Sequence, residues 1–231
     1  MIFSRMLSAS TNTFTKIYQH TYVQQLHNGT LPRQKFKEYL QQDGMYLLDL
    51  VTTLKLIATK LTDATQRTTL TKLATETIDY ERTMLAQYLY AGQEFFQKKE
   101  PVAKILPVQV YTDHLLQTAE TADAAIAMAS ILPCFWSYCS LGRQMMEKNI
   151  LIQPTHPYHA WISCYTDAGY NESVNALIEI TGTLGNLASL EVQEQMIVAF
   201  GKSAEHELGF YEAILPHQQE QTLQNSFMKA C

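Results

Sequence analysis

The fold is most clearly encoded in residues 36–54, FKEYLQQDGMYLLDLVTTL. Apolar side chains recur there every three or four positions, which places them on one face of an α-helix. The stripe consists of Phe36, Leu40, Leu47, Leu50 and Leu54. Asp43 interrupts it at the centre, with Tyr39 and Tyr46 one turn away on either side. The segment therefore predicts a bundle helix that turns one carboxylate toward the protein interior.

The same helical periodicity runs through the rest of the chain, and no segment alternates as a β-strand would. Nine glycines and seven prolines in 231 residues are fewer than usual, which favours long helices. Asn28-Gly29 predicts a left-handed helix end, and Pro133 predicts a helix break. The predicted helices cover residues 4–27, 32–61, 65–89, 108–120, 122–133, 134–148, 159–165, 172–187 and 190–215. We expect one all-α bundle domain over residues 1–231.

Composition excludes several classes of protein. Apolar residues make up 46% of the chain and charged residues 17%, which excludes an intrinsically disordered chain. The net charge of −5, without a basic cluster, predicts no nucleic-acid partner, because binding phosphates requires clustered positive charge. The chain contains no run of 18 apolar residues, so we predict no membrane span. The four cysteines form no CxxC pair, so we expect reduced thiols and a cytoplasmic location.

The last helix repeats the pattern of a carboxylate within an apolar stripe. Glu207 occupies that place, and the stripe consists of Met196, Phe200, Tyr211 and Ile214. A carboxyl group in apolar surroundings holds its proton more tightly, which suits acid–base catalysis near neutral pH. Two alternatives stay open: Asp43 as a core residue that caps a buried backbone or tyrosine group, and Glu207 on a solvated face beside Glu205.

A third candidate is Cys134, in the segment Leu132-Pro133-Cys134-Phe135-Trp136-Ser137-Tyr138. If Pro133 interrupts the helix, Cys134 lies in a new first turn, where the positive helix end favours a thiolate. Tyr138 lies four residues later on the same face. The alternative is an inert core cysteine, which is how we interpret Cys139 and Cys164.

Tyrosines and histidines complete the candidate residues. Tyr111, Tyr138 and Tyr165 lie in apolar helical contexts and predict a pocket for a flat heteroaromatic ligand, or else an ordinary aromatic core. The chain has no Glu-x-x-His pair of the kind that di-iron bundles use. His156 and His159 flank a proline and are expected to be surface or loop residues. We therefore predict no metal and no cofactor.

Taken in order, the motifs resemble the TenA family, also called thiaminase II, of the haem-oxygenase-like all-α fold. The resemblance runs almost from end to end. Its motifs are Gly29-Thr30-Leu31-Pro32, Gln42-Asp43-x-x-Tyr46-Leu47, Glu81, Tyr111-Thr112-x-His114, Leu132-Pro133-Cys134-x-Trp136-x-Tyr138 with Gly142, Trp161-Ile162-x-x-Tyr165 and Glu207-x-x-Phe210-Tyr211.

The resemblance implies a hydrolase of thiamin-related aminopyrimidines that uses no cofactor and assembles as a homotetramer. It assigns Cys134 as the nucleophile that attacks the pyrimidine ring. It assigns Asp43 to the ring's amino group and nitrogen, and Glu207 to proton transfer. The implied substrate-binding residues are Tyr46, Tyr111, Tyr138 and Tyr165. Thiamin itself and its degraded aminomethyl pyrimidine are both open as substrates.

The sequence departs from the family pattern at several positions. Gly44 and Met45 stand where the family often has an aromatic residue, Leu85 replaces a histidine, and Tyr211 replaces a tryptophan. None of these changes removes a catalytic group. Three alternatives to the hydrolase stay open: a non-hydrolytic pyrimidine-binding or regulatory protein, a cofactor-independent oxidase of the same fold, and a structural bundle with incidental buried polar groups.

Overall fold

The computed structural model describes residues 1–88, 102–147 and 153–216, and these residues form ten helices and no β-strand. The predicted all-α helical bundle is confirmed. The helices are α1 (Ile2–Ala9), α2 (Thr11–Gln19), α3 (Thr21–His27), α4 (Arg33–Lys60), α5 (Ala64–Tyr88), α6 (Leu106–Thr121), α7 (Ala124–Glu147), α8 (His159–Thr166), α9 (Ala168–Leu187) and α10 (Leu190–Ile214).

The single helix predicted over residues 4–27 is wrong, because the chain bends twice there. Ser10 leaves helical geometry between α1 and α2. His20 has an extended backbone, and its Nδ1 accepts a hydrogen bond from the Tyr22 N–H at 3.2 Å. This capping bond satisfies a free donor at the start of α3. The predicted left-handed end at Gly29 is confirmed, with φ of 75°.

A buried amide fixes the position of α4. The Gln42 side chain donates to the Ala103 carbonyl at 3.0 Å and accepts from the Ile105 N–H at 2.9 Å. Gln42 is 4% exposed, so leaving either group unpaired would be costly. These bonds hold α4, at the residue before Asp43, against the segment that leads into α6.

Helix α7 is the central helix, and it packs against α9, α10, α8 and α6. Pro133 lies within it, so the predicted break at this proline is wrong. Burial explains the difference: packing on several sides holds the helix together although proline removes one backbone hydrogen bond. Ala124–Met145 is long and apolar enough to cross a membrane, but 78% of its most apolar stretch is buried within the protein.

Helices α7 and α8 approach closely at Gly142. A Cβ atom at this position would lie 2.4 Å from the backbone oxygen of Tyr165. Only glycine allows this contact, which brings the Tyr165 ring against Tyr138, with ring centroids 4.7 Å apart. Gly142 therefore helps to build the site described below.

We expect Gly142→Ala to lower the free energy of unfolding by about 1–3 kcal/mol, because the added methyl group must push α8 away from α7. Urea unfolding measures the change. Gly182→Ala is the matched control: this helical glycine has nothing within 4 Å of an added Cβ, and alanine should stabilise α9 by about 0.5–1 kcal/mol. Equal stability of the Gly142→Ala variant and the wild type would contradict the close approach.

Candidate active site

Asp43 lies near the middle of α4 and is 6% exposed. Its carboxyl group lines a cavity of about 750 Å³ in the protein, at the inner end of that cavity. The inward orientation predicted from the stripe is thus confirmed. The negative charge of Asp43 also contributes, after burial, to raising the pKa of Tyr39 and of Tyr80.

Cys134 lines the same cavity from α7 and is 7% exposed. It lies inside a continuous helix, so the expected effect of a helix N-terminus on its thiol is wrong. Burial, reinforced by the nearby Glu207 carboxyl, raises the pKa of Cys134 well above its ordinary value, while the Tyr46 hydroxyl acts in the opposite direction. Cys134 is therefore a thiol at neutral pH when the site is empty.

Glu207 is 2% exposed on α10, which rules out the solvated-face alternative. Burial raises its pKa to about 8, although the hydroxyls of Tyr138 and Tyr111 approach as hydrogen-bond donors and lower it. The charge of Asp43 adds to the increase. Glu207 thus holds a proton at neutral pH and can release it within the physiological range.

Tyr46 and Tyr111 lie together behind this part of the site. Their ring centroids are 4.9 Å apart. Both hydroxyls are buried and, within the described residues, neither makes a hydrogen bond of standard length and angle. The Cys134 thiol lies near the Tyr46 hydroxyl, and the Tyr111 hydroxyl lies near that of Tyr46 and near the Glu207 carboxyl. A buried hydroxyl without a partner costs free energy, so this position is suited to an ordered water.

The cavity brings together four of the seven predicted site residues: Asp43, Cys134, Tyr138 and Tyr165. Tyr46, Tyr111 and Glu207 do not line it, but lie in the layer behind. From this inner end the cavity extends outward between α5 and α9. Its outer walls carry Thr69, Lys72, Glu76, Asp167, Glu172 and Ser173.

Several lining residues were missed by the sequence analysis. Tyr80 on α5 makes a 2.7 Å hydrogen bond to the Tyr165 hydroxyl, and Tyr170 donates to the Phe135 carbonyl at 3.1 Å. Cys164, which was predicted to be a packing residue, also lines the cavity. Tyr80 lies on the same face of α5 as Leu73 and Thr77, which also line the cavity. The helical spacing of these three residues could have predicted that Tyr80 faces the site.

Metal ligation finds no support in the part of the chain described here, where no three histidine, cysteine or acidic side chains cluster at ligand distance. His156 instead faces the His27 carbonyl, with its Nε2 3.2 Å away. Glu81, which the resemblance matched, belongs to α5, but its side chain lies outside the described residues, as does Cys231.

Comparison with known proteins identifies the family. The model of the TENA/THI-4/PQQC family matches residues 9–216. The chain belongs to this family. As a member of the TENA/THI-4/PQQC family it has the motifs of the site within the matched range, including all seven predicted site residues.

Among its relatives, an aminopyrimidine aminohydrolase from Halalkalibacterium halodurans is 30% identical over 71% of this chain and 72% of its own length. A thiamine biosynthesis multifunctional protein ThiED from Corynebacterium efficiens is 26% identical over 88% of this chain, which spans only 27% of that protein. A solved structure, described as a TenA homologue protein from P. horikoshii OT3, is 27% identical. It has a TM-score of 0.80 and covers 93% of this chain and 98% of its own.

Proposed function

We propose that this chain is a cysteine-dependent hydrolase of thiamin-related aminopyrimidines. The observation that carries the proposal is the inner end of the cavity, where a buried carboxylate, a buried thiol and two tyrosines face one space. An aminopyrimidine ring offers an amino donor and ring nitrogens to such a set. The name of the Halalkalibacterium halodurans relative supports the same substrate class.

Each side chain has a separate task in the proposed reaction. The Asp43 carboxylate accepts a hydrogen bond from the amino group of the pyrimidine and fixes the orientation of the ring. The stacked pair of Tyr138 and Tyr165 offers an aromatic face to the flat ring. Cys134 is then the group that attacks, because it is the nucleophilic side chain beside Asp43 at the inner end.

Addition of sulfur makes the displacement easier than direct attack on the methylene carbon. The Cys134 sulfur bonds to a ring carbon and gives up the proton that the departing amine takes in the next step. Glu207 gives its proton to a ring nitrogen; because it lies behind the cavity wall, its side chain must turn toward the bound ring for this transfer. The electron pair returning from the ring expels the amine, which takes up a proton and leaves as ammonia. Water then adds its oxygen to the methylene carbon, the ring nitrogen returns its proton to Glu207, and the sulfur leaves the ring and takes the remaining proton of the water, which restores the Cys134 thiol.

The outer cavity bears on the choice of substrate. A volume of about 750 Å³ is in the range that accommodates a drug-sized ligand. Space between α5 and α9 therefore remains for a large leaving group such as the thiazole of thiamin. We propose that both thiamin and 4-amino-5-aminomethyl-2-methylpyrimidine are accepted.

The test is turnover of these two compounds by the purified protein. Ammonia release from the aminomethyl pyrimidine, or cleavage of thiamin to pyrimidine and thiazole, would support the proposal. Binding of the pyrimidine, seen as a rise in melting temperature without any product, would favour a non-hydrolytic binding protein. Neither binding nor turnover would favour the structural bundle.

We also propose a homotetramer, in agreement with the resemblance. Exposed apolar side chains on α4 and on the adjoining segment 102–110 support it: Leu48, Val102, Leu106 and Val110 are 53%, 47%, 73% and 43% exposed. Light scattering tests the mass, and a monomer would contradict the proposal. If this face is an interface, Leu106→Lys should dissociate the assembly and Val198→Lys, on α10, should not.

The cytoplasmic location, the single domain over residues 1–231 and the lack of nucleic-acid or membrane partners stay predictions.

A further inference from the structure

A pair of buried tyrosine hydroxyls lies beside the proposed active site. Tyr39 lies on α4 one turn before Asp43, is 0% exposed and does not line the cavity. Its hydroxyl oxygen is 2.7 Å from that of Tyr138 on α7. A hydroxyl group carries a single proton, so this hydrogen bond has a direction.

The surroundings of the pair decide that direction. The Tyr138 hydroxyl also approaches two other groups, because it lowers the pKa of Glu207 and that of Tyr211. Among the hydrogen bonds of the described residues, the Tyr39 hydroxyl has no partner other than Tyr138. If Tyr138 donated to Tyr39, the proton of Tyr39 would lack an acceptor and the Glu207 carboxylate would lose a donor. If Tyr39 donates to Tyr138, the proton of Tyr138 is left for Glu207, whose carboxylate is a stronger acceptor than the Tyr211 hydroxyl, and both protons are satisfied.

We propose that Tyr39 is a positioning residue for the reaction: by donating to Tyr138, it directs the proton of the Tyr138 hydroxyl at Glu207. Tyr39 thereby controls how readily Glu207 gives up its proton, without contact with the substrate. This inference rests on the proposed function only in giving Glu207 a proton to transfer, because the hydrogen bond between Tyr39 and Tyr138 is a property of the fold.

The other groups that face Glu207 carry no positive charge that would replace this effect. They come from α4, α6, α7, α9 and α10, and each is an acid, a thiol or a phenol. Within the described residues they are Asp43, Tyr46, Tyr111, Cys134, Tyr170 and Tyr211. Stabilisation of the Glu207 carboxylate therefore depends on the hydroxyl donors Tyr138 and Tyr111. Behind Tyr138 the Tyr39 hydroxyl lies at 2.7 Å, whereas the Tyr46 hydroxyl near Tyr111 makes no hydrogen bond of standard geometry within the described residues.

The ring of Tyr39 is held independently of its hydroxyl. It stacks on Phe210 with ring centroids 5.2 Å apart, and it makes an edge contact with Trp161 at 6.0 Å. Phenylalanine preserves these contacts. Tyr39→Phe therefore removes the hydroxyl while the aromatic packing is kept.

In the Tyr39→Phe variant we expect the high-pH limb of kcat/KM to move upward by about half a pH unit. Loss of the supporting donor weakens the bond from Tyr138 to the Glu207 carboxylate, so the pKa of Glu207 rises. Tyr22→Phe is the matched control. Tyr22 is equally buried, and its ring centroid lies 5.3 Å from that of Tyr39. Within the described residues, however, its hydroxyl makes no hydrogen bond. The profile of this control should not move.

Two further measurements separate the inference from the proposed function. Infrared titration of the carboxyl band that disappears in Glu207→Gln reports the pKa of Glu207 whether or not the protein turns over substrate. The Tyr39→Phe shift should appear there, and it should vanish in a Tyr138→Phe background. An unmoved band in Tyr39→Phe, or an equal shift in Tyr22→Phe, would overturn the inference. A moved band without any turnover would overturn only the proposed function.

Discussion

Replacing Cys134 with serine should reduce kcat on both proposed substrates by at least about 10³-fold, because a serine hydroxyl is a far weaker nucleophile toward a pyrimidine ring than a thiolate. The side chain is 7% exposed and lines the cavity beside Asp43, so no solvent nucleophile of similar reactivity replaces it. Steady-state rates of ammonia release measure the loss.

Cys139→Ser is the matched control for this substitution. Cys139 lies on the same helix and is fully buried, and its S–H donates to Asn171 Oδ1 at 3.1 Å, a bond that a serine hydroxyl can also make. This variant should keep its activity. The Cys134→Ser variant should still bind the pyrimidine, which a rise in melting temperature would show. Unchanged turnover in Cys134→Ser would contradict the assignment of the nucleophile.

The raised pKa of Cys134 determines when its thiol can act as a nucleophile. Burial and the Glu207 carboxyl raise the pKa of the thiol, so the empty site does not hold a reactive thiolate. The proton must leave during the reaction, when the developing charge on the ring and the Tyr46 hydroxyl can compensate for the loss of solvation. A cysteine that reacts only with substrate present is protected from unwanted oxidation, since the thiolate is the oxidisable form.

The sequence was sufficient to predict the fold and the positions of both carboxylates. The stripe around Asp43 and the stripe around Glu207 are regular, and both side chains are buried as expected. Periodicity works here because a bundle helix has one apolar face, and a polar residue within that face must turn inward.

Other features depend on tertiary packing, which the sequence does not display. His20 ends one helix and caps the next through its imidazole, a role that is rare for histidine. Pro133 stays inside α7 because neighbouring helices enclose it. The pairing of Tyr39 with Tyr138 joins residues 99 positions apart, so no local pattern could reveal it.

Glu207→Gln should lower kcat/KM by about 10²–10⁴-fold and remove the high-pH limb of the profile. Glutamine keeps the volume and the hydrogen bonding of a neutral carboxyl group, but it cannot give a proton to the ring nitrogen. The wild type should lose activity as the pH rises through about 8, because Glu207 then becomes a carboxylate. A profile that keeps this limb in Glu207→Gln would assign the limb to another group.

The same titration should appear in stability, which does not depend on turnover. The pKa of Glu207 rises from an ordinary 4.5 to about 8 in the fold, so the folded protein keeps a proton that the unfolded chain releases. The stabilisation is complete below the unfolded pKa and is lost progressively as the pH rises from there to the folded pKa of about 8, by roughly 5 kcal/mol in total. Glu207→Gln removes this dependence, so the variant should become more stable relative to the wild type between pH 6 and pH 9 in urea unfolding. Parallel stability curves for the two proteins would show that Glu207 is already ionised at pH 6, and the proposed proton donor would then have to be a different residue.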